Sequence, residues 1–332
     1  MAELSRFETR EPKEDERATH MIEVVRRMQA RLYPPGGTLR GAHAKHNALL
    51  EAEFVVEPDL PEELAIGLFA RPGRYDALVR FSNALDKKQP DKILDLRGVA
   101  IKVRGVPGAP IPENDEPGSQ DFVLMQTPVI PPGTVKLFHD TIWLVTEWSR
   151  YLFLAKMLLT GNRRLLRLAK KARVCPSSPA DVRYWSTTPY LLGPDQAVKY
   201  SLDPTSAYRS ILPEPLTDDY LADNLEKHLG EADATFDFKV QLQTDPKLMP
   251  VEDSSIEWPE DVSPFRKVAT LRIPRQAFRT RERDDLSEAS TFCPSHALAE
   301  HRPIGGLNRV RMRIYKEQSA WRRQRDGRAP GL

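Results

Sequence analysis

The chain has 332 residues, with 49 lysines and arginines against 47 aspartates and glutamates, for a formal net charge of +2. That balance excludes a global positive field of the kind that gathers nucleic acid, and the length is enough to bury a core without staples. Only two cysteines are present, Cys175 and Cys293. They stand far apart with no CxxC spacing, which points to a reducing cytoplasm rather than a disulfide framework.

Residues 1–14 read as a polar arm; the start is charged and has no apolar h-region, so no signal peptide is expected. A helix is predicted from about Asp15 to Leu32, with Met21, Val24, Val25, Met28 and Leu32 on one face. "YPPGG" stops it, because proline cannot continue a helix and glycine supplies the turn. The texture then changes to strands. "AEFVVEP", "YDALVRFSNA", "LRGVAIKVRG" and "QDFVLMQTPV" are short, apolar and bounded by Pro, Gly or Asp. They follow one another too closely for crossover helices, so they read as an antiparallel meander, the first half of a sandwich or barrel.

From Thr134 to Arg173 the period becomes helical, with two helices meeting around "TGN". Asp140, Glu147, Arg150 and Lys156 interrupt the apolar run, so it is amphipathic and not a membrane span. Strands return as "AVKYSLDP", "ATFDFKVQLQT" and "FRKVATLRIP", with a helix at about Thr217–Leu229 between the first two. A last helix is expected from about Leu307 to Gln324. No repeat or low-complexity linker divides the chain. The reading is a single α+β domain over residues 15–332, built round a β-barrel.

The pair His43 and His46 in "HAKH" lacks the spacing of a helical zinc motif. Spacing alone leaves His43 open between a structural and an acid–base role, and His296 and His301 have the same status. Cys293 has no base near it in sequence, and "RPIGG" lacks the pattern of a phosphate loop. "RRLLRLAKKAR" (Arg163–Arg173) is a basic amphipathic stretch, either a solvated face or a membrane-surface contact. In the last helix Arg311, Tyr315 and Arg322 fall four and seven apart, on one stripe. A phenol between two guanidiniums should have a lowered pKa, and a phenolate is a hard anionic ligand suited to ferric haem iron. The same stripe is also compatible with an ordinary arginine-rich surface helix.

Taken in order, these stretches resemble the monofunctional haem catalases. "RGAHAK" (Arg40–Lys45) is similar to the family's distal R-x-x-H-A-K, and "VRFS" (Val79–Ser82) to its next strand. "DLRGVAIKV" (Asp95–Val103) is similar to D-P-R-G-F-A-V-K, and "QDFVLMQTPV" to the strand ending in G-N-N-T-P. Phe138 falls where the family places an aromatic against the haem, and "RMRIY" (Arg311–Tyr315) resembles the proximal R-x-x-x-Y.

The resemblance implies an antiparallel β-barrel with surrounding helices and a C-terminal helix that ligates haem b. Tyr315 would be the axial metal ligand and Arg311 its cation. Arg40, Arg80 and Arg322 would pair with the propionates, since guanidinium suits carboxylate. His43 would be the catalytic acid–base residue and Ser82 would fix its ring. The family's distal asparagine falls on Met125, with Gln126 next to it. A thioether cannot hold peroxide as an amide does, so peroxidase turnover is expected over dioxygen release. Arg40 and His43, three apart, would point to opposite faces of a flat strand, so a bulge or twist must intervene.

The resemblance implies a minimal catalase-related peroxidase, expected to lack the family's long arm and C-terminal nucleotide-binding extension. Its expected partners are a peroxide, an electron donor and a second copy of the chain, with no nucleic acid. Two alternatives stand beside a hydroperoxidase. One is a fatty-acid hydroperoxide isomerase or dehydratase, against which Ala42 counts, because the catalase-like allene oxide synthases carry Thr there. The other is a non-enzymatic haem carrier or sensor, which would have no need of His43.

Overall fold

The computed structural model describes residues 4–159 and 174–327. The basic stretch Arg163–Arg173 lies outside the described residues. The centre is an antiparallel sheet closed on itself. Its first four strands are β1 (Lys45–Val56), β2 (Gly73–Asn83), β3 (Arg97–Arg104) and β4 (Ser119–Met125), the expected meander. The others are β5 (Tyr184–Trp185), β6 (Tyr190–Leu191), β7 (Ala197–Pro204), β8 (Ala234–Leu242) and β9 (Arg266–Ile273). The ring runs β5-β4-β3-β2-β1-β9-β8-β7 and closes through β5 on β7, while β6 flanks β7. Closure removes the open edges that a sheet of this width would otherwise expose.

Alternation decides which side chains fill the barrel. Val79 and Phe81 of β2, Val99 and Ile101 of β3, and Phe122 and Leu124 of β4 join one buried cluster. Phe122 and Phe238 meet there with ring centroids 4.6 Å apart, and Phe54 stacks on Phe122 at 6.0 Å. Each buried ring contributes about 1.5–3 kcal/mol of hydrophobic stabilisation. The intervening residues, including Arg80, Ser82, Gly98, Ala100 and Val123, therefore face out of the barrel. The buried apolar cluster fills the barrel side of the sheet, and the polar side chains of β2 lie on its outer face.

Helices surround the barrel. They are α1 (Glu14–Leu32), α2 (Val135–Trp143), α3 (Arg150–Leu159), α4 (Tyr220–Glu231), α5 (Arg281–Ala289) and α6 (Gly306–Asp326). A turn of π-helix, Leu144–Trp148, separates α2 from α3. Ala18, Met21 and Ile22 of α1 pack with Val135 of α2 and with Leu307, Val310 and Ile314 of α6. Met21 and Val24 are buried as the helical period predicts, whereas Val25 and Met28 turn to a cavity. No helix among the described residues is long and apolar enough to cross a membrane.

Both ends of the described chain are fastened to the body. The segment before α1, read as a polar arm, buries Glu8, which pairs with Arg309 and accepts from the Gly305 amide at 2.9 Å. At the other end, Asp326 closes α6 by accepting from the amides of Gly36 and Thr38, each at 2.9 Å, and from the Thr38 hydroxyl at 2.6 Å. That clasp ties the turn after α1 to the last turn of α6.

Candidate active site

A largely apolar cavity of about 480 Å³ lies between the outer face of β2–β4 and helices α1, α2 and α6. His43, Ser82, Arg40, Arg80, Phe138, Arg311, Tyr315 and Arg322 all line it. Met125 does not, and neither does Gln126. Met125 ends β4, half-buried, opposite Gly98 of β3 and Trp185 of β5.

The sequence placed "HAKH" in a strand, but β1 begins only at Lys45. Arg40 to Ala44 form an irregular turn, and His43 has a positive φ of 56°. A left-handed residue reverses the chain locally, so Arg40 and His43 reach one cavity although a flat strand would part them. The turn is pinned by the His43 amide donating to the Ala84 carbonyl at 3.0 Å and by Arg80 Nη2 donating to the His43 carbonyl at 3.0 Å. His43 Nδ1 lies 2.9 Å from Ser82 Oγ, leaving Nε2 as the nitrogen available to a ligand. The ring packs directly on Gly98: a Cβ there would sit 2.5 Å from His43 Cε1. His43 is half-buried, with surface facing the cavity and protein packed around the rest of the ring. Burial, reinforced by the Arg80, Arg311 and Arg40 cations, pushes its pKa down to about 3. The imidazole is therefore neutral at ordinary pH and able to accept a proton.

Tyr315 comes from α6, one turn beyond Arg311, whose guanidinium carbon lies 5.5 Å from the phenol ring centroid. Arg311 is buried, and its hydrogen bonds run to neutral groups, Thr188 Oγ1 at 2.9 Å and Asn308 Oδ1 at 3.2 Å. Burial opposes its charge, but the Tyr315 and Tyr190 phenols raise its pKa above the ordinary arginine value. Phe138 of α2 packs into the same cluster as Tyr315.

Arg40, Arg80 and Arg322 converge on the C-terminal end of α5. Arg40 donates to the Ser287 and Ser290 carbonyls, both at 2.7 Å, and Arg322 to the Glu288 carbonyl at 2.8 Å. Arg80 Nε donates to Ser287 Oγ at 3.1 Å. Glu288 Oε2 accepts from Arg40 at 3.2 Å and from Arg322 at 3.0 Å. Helix C-termini carry partial negative charge, so the end of α5 is a natural anchor for guanidiniums. Sequence reasoning missed Ser287 and Glu288, because no spacing relation links them to arginines 34 or more residues away. It also missed Gly98 and Thr188, although "LRGV" inside a strand carried the signal of a close approach.

The remaining candidates do not line this cavity. His46 Nε2 lies 2.9 Å from Asp284 Oδ1 of α5. His296 sits in an ionic network with Lys102, Asp121 and Asp115. His301 is buried, accepting from the Leu68 amide at 2.9 Å. Burial pushes the Cys293 thiol up to about 11, which removes any thiolate nucleophile. Among the described residues no cluster of His, Cys, Asp or Glu could hold a metal ion.

No family model and no curated protein matches the chain. Solved structures do. A fungal catalase superposes with a TM-score of 0.62 at 19% identity, over 91% of this chain and 63% of that one. A bacterial catalase gives 0.63 at 18% identity, over 94% of this chain and 63% of that one. Catalase A from Saccharomyces cerevisiae gives 0.60 at 19% identity, over 89% and 62%. The chain thus spans less than two thirds of the length of these catalases. With its closed eight-strand antiparallel barrel and surrounding helices, it has the catalase fold.

Proposed function

We propose that the protein is a haem-dependent hydroperoxidase that acts on hydrogen peroxide or organic hydroperoxides. One observation carries the reading: His43, Tyr315 and four arginines line a single, mainly apolar cavity. The donor set fits haem b. Apolar walls suit the macrocycle, a phenol beside the buried Arg311 cation suits ferric iron, and guanidiniums suit propionates. When bound, the haem supplies the redox chemistry of O–O cleavage.

The residues of this chain handle binding and protons. Tyr315 would hold the iron, with the Arg311 guanidinium beside its ring. Arg40, Arg80 and Arg322 take the propionates. Neutral His43 accepts the proton from one peroxide oxygen and returns it to the other, so that the leaving oxygen departs as water or alcohol. Ser82 holds the imidazole through Nδ1 so that Nε2 performs both transfers. Met125 lies outside the cavity lining and carries no amide. The expected turnover is therefore peroxidase-like, with an external electron donor and weak dioxygen release.

The test is a spectrum followed by turnover. The purified protein reconstituted with haem should show a Soret band of tyrosinate-ligated ferric haem, little oxygen evolution from hydrogen peroxide, and oxidation of a phenolic donor. Tyr315→Phe should abolish the tyrosinate signature. A wild-type spectrum in that variant refutes the ligand role, and no Soret band in the wild type refutes the reading.

A further inference from the structure

A carboxylate already stands among the arginines assigned to the cofactor. Glu288 is largely enclosed, at 13% side-chain exposure, and a single oxygen, Oε2, serves Arg40 and Arg322 together. Its pKa is lowered far below the carboxylate range: burial opposes the charge, but Arg40, then His46, Arg80 and Arg322, overwhelm that opposition. The relation is mutual. Burial and the Arg40 cation depress the Arg80 charge, and Glu288 acts in the other direction. Arg80 and Arg322 are each only 3% exposed. Cations this deeply buried require an anion close by, because desolvation otherwise removes their stability. The Glu288 carboxylate has its second oxygen, Oε1, buried without a hydrogen bond and 3.6 Å from His46 Nδ1. His46 in turn holds Asp284 one helical turn earlier on α5, so the carboxylate is positioned from both sides.

We infer that Glu288 is a positioning residue that shares one arginine cluster with the carboxylates of the cofactor and thereby tempers its affinity. The inference rests on the haem reading above. Glu288 and a bound propionate are like charges served by the same guanidiniums, so each weakens the hold of the cluster on the other. Removing the Glu288 charge strengthens the hold on an acidic ligand and leaves the hold on its uncharged ester unchanged. A purely structural glutamate would change both ligands alike.

The experiment titrates purified protein with haem b and with haem b dimethyl ester, following Soret absorbance. It is run on the wild type, Glu288→Gln and Glu288→Asp. The preference for diacid over diester should rise roughly tenfold or more in Glu288→Gln, the scale of one charge removed within about 10 Å of the ligand in a partly buried site. In Glu288→Asp, which keeps the charge, the preference should stay at the wild-type value. If Glu288→Gln does not fold alone, refolding with each ligand carries the same comparison, with the diacid rescuing and the diester failing. An unchanged preference in Glu288→Gln, or equal rescue by both ligands, overturns the inference while leaving the haem reading intact. A wild type that binds neither ligand overturns both.

Discussion

Gly98 is the sharpest point at which to test the arrangement of His43. A methyl group added there would lie 2.5 Å from His43 Cε1 and 2.9 Å from Nδ1. The ordinary contact limit is near 3.4 Å, so the imidazole in Gly98→Ala must retreat by about 1 Å or the strand must bend. The strand is held on both sides: Gly98 pairs with Ser82 of β2 and with Met125 of β4. The ring is the part that yields. That movement breaks its 2.9 Å bond to Ser82 and carries Nε2 away from its position for proton transfer. A misplacement on the order of 1 Å costs about 10²-fold in rate. Nothing in the substitution touches Tyr315, Arg311 or the three arginines. The assay pairs a haem titration with peroxide-dependent oxidation of a phenolic donor. The Soret band and haem affinity should match the wild type while turnover falls about a hundredfold. Wild-type turnover in Gly98→Ala would refute the claim that His43 works from this position.

Ser82→Ala should lower turnover by about threefold to tenfold, the worth of one hydrogen bond that fixes the ring, with the Soret band unchanged. Acid stability should depend in part on His301, whose pKa burial pushes down to about 3, as it does that of His43. The unfolded chain takes up a proton near pH 6.5 that the native state refuses, so stability is lost as pH falls through the interval between these values. The loss is about 2 kcal/mol between pH 7 and pH 5 for this group, read by urea unfolding; His301→Gln should flatten the slope, and an unaltered slope would refute the assignment. Arg309→Ala strips the partner from the buried carboxylates of Glu8 and Glu14 and should cost about 3–5 kcal/mol in urea unfolding, whereas a loss below about 1 kcal/mol would show that other groups neutralise them.

Much of this was legible in local pattern. Short apolar runs bounded by Pro, Gly or Asp mark the strands of the meander, and their close spacing points to an antiparallel barrel. The stripe Arg311–Tyr315–Arg322 is likewise a property of one helix. Other features depend on tertiary contacts. The two-residue strand β5, which closes the barrel, is too short to carry a period. The positive φ at His43 contradicts the strand that its neighbours suggest, because the bonds to Ala84 and Arg80 outweigh local propensity. Glu288 is a glutamate in a polar helix until folding brings three arginines to it.

The Asp326 clasp has a consequence for the order of events in folding. His43 and Arg40 belong to the first fifth of the chain, while Tyr315 and Arg322 belong to its last tenth, and the clasp joins the two regions across 288 residues or more. Pairings this distant in sequence raise contact order and form late. On the ribosome, the barrel strands up to β9 are available before α6 has been made. The cavity is thus the last part of the molecule to be walled in, and its missing wall is the helix that carries Tyr315. On the haem reading, a cofactor would have an open approach to a nearly finished barrel, and the closing of α6 would be the step that encloses it.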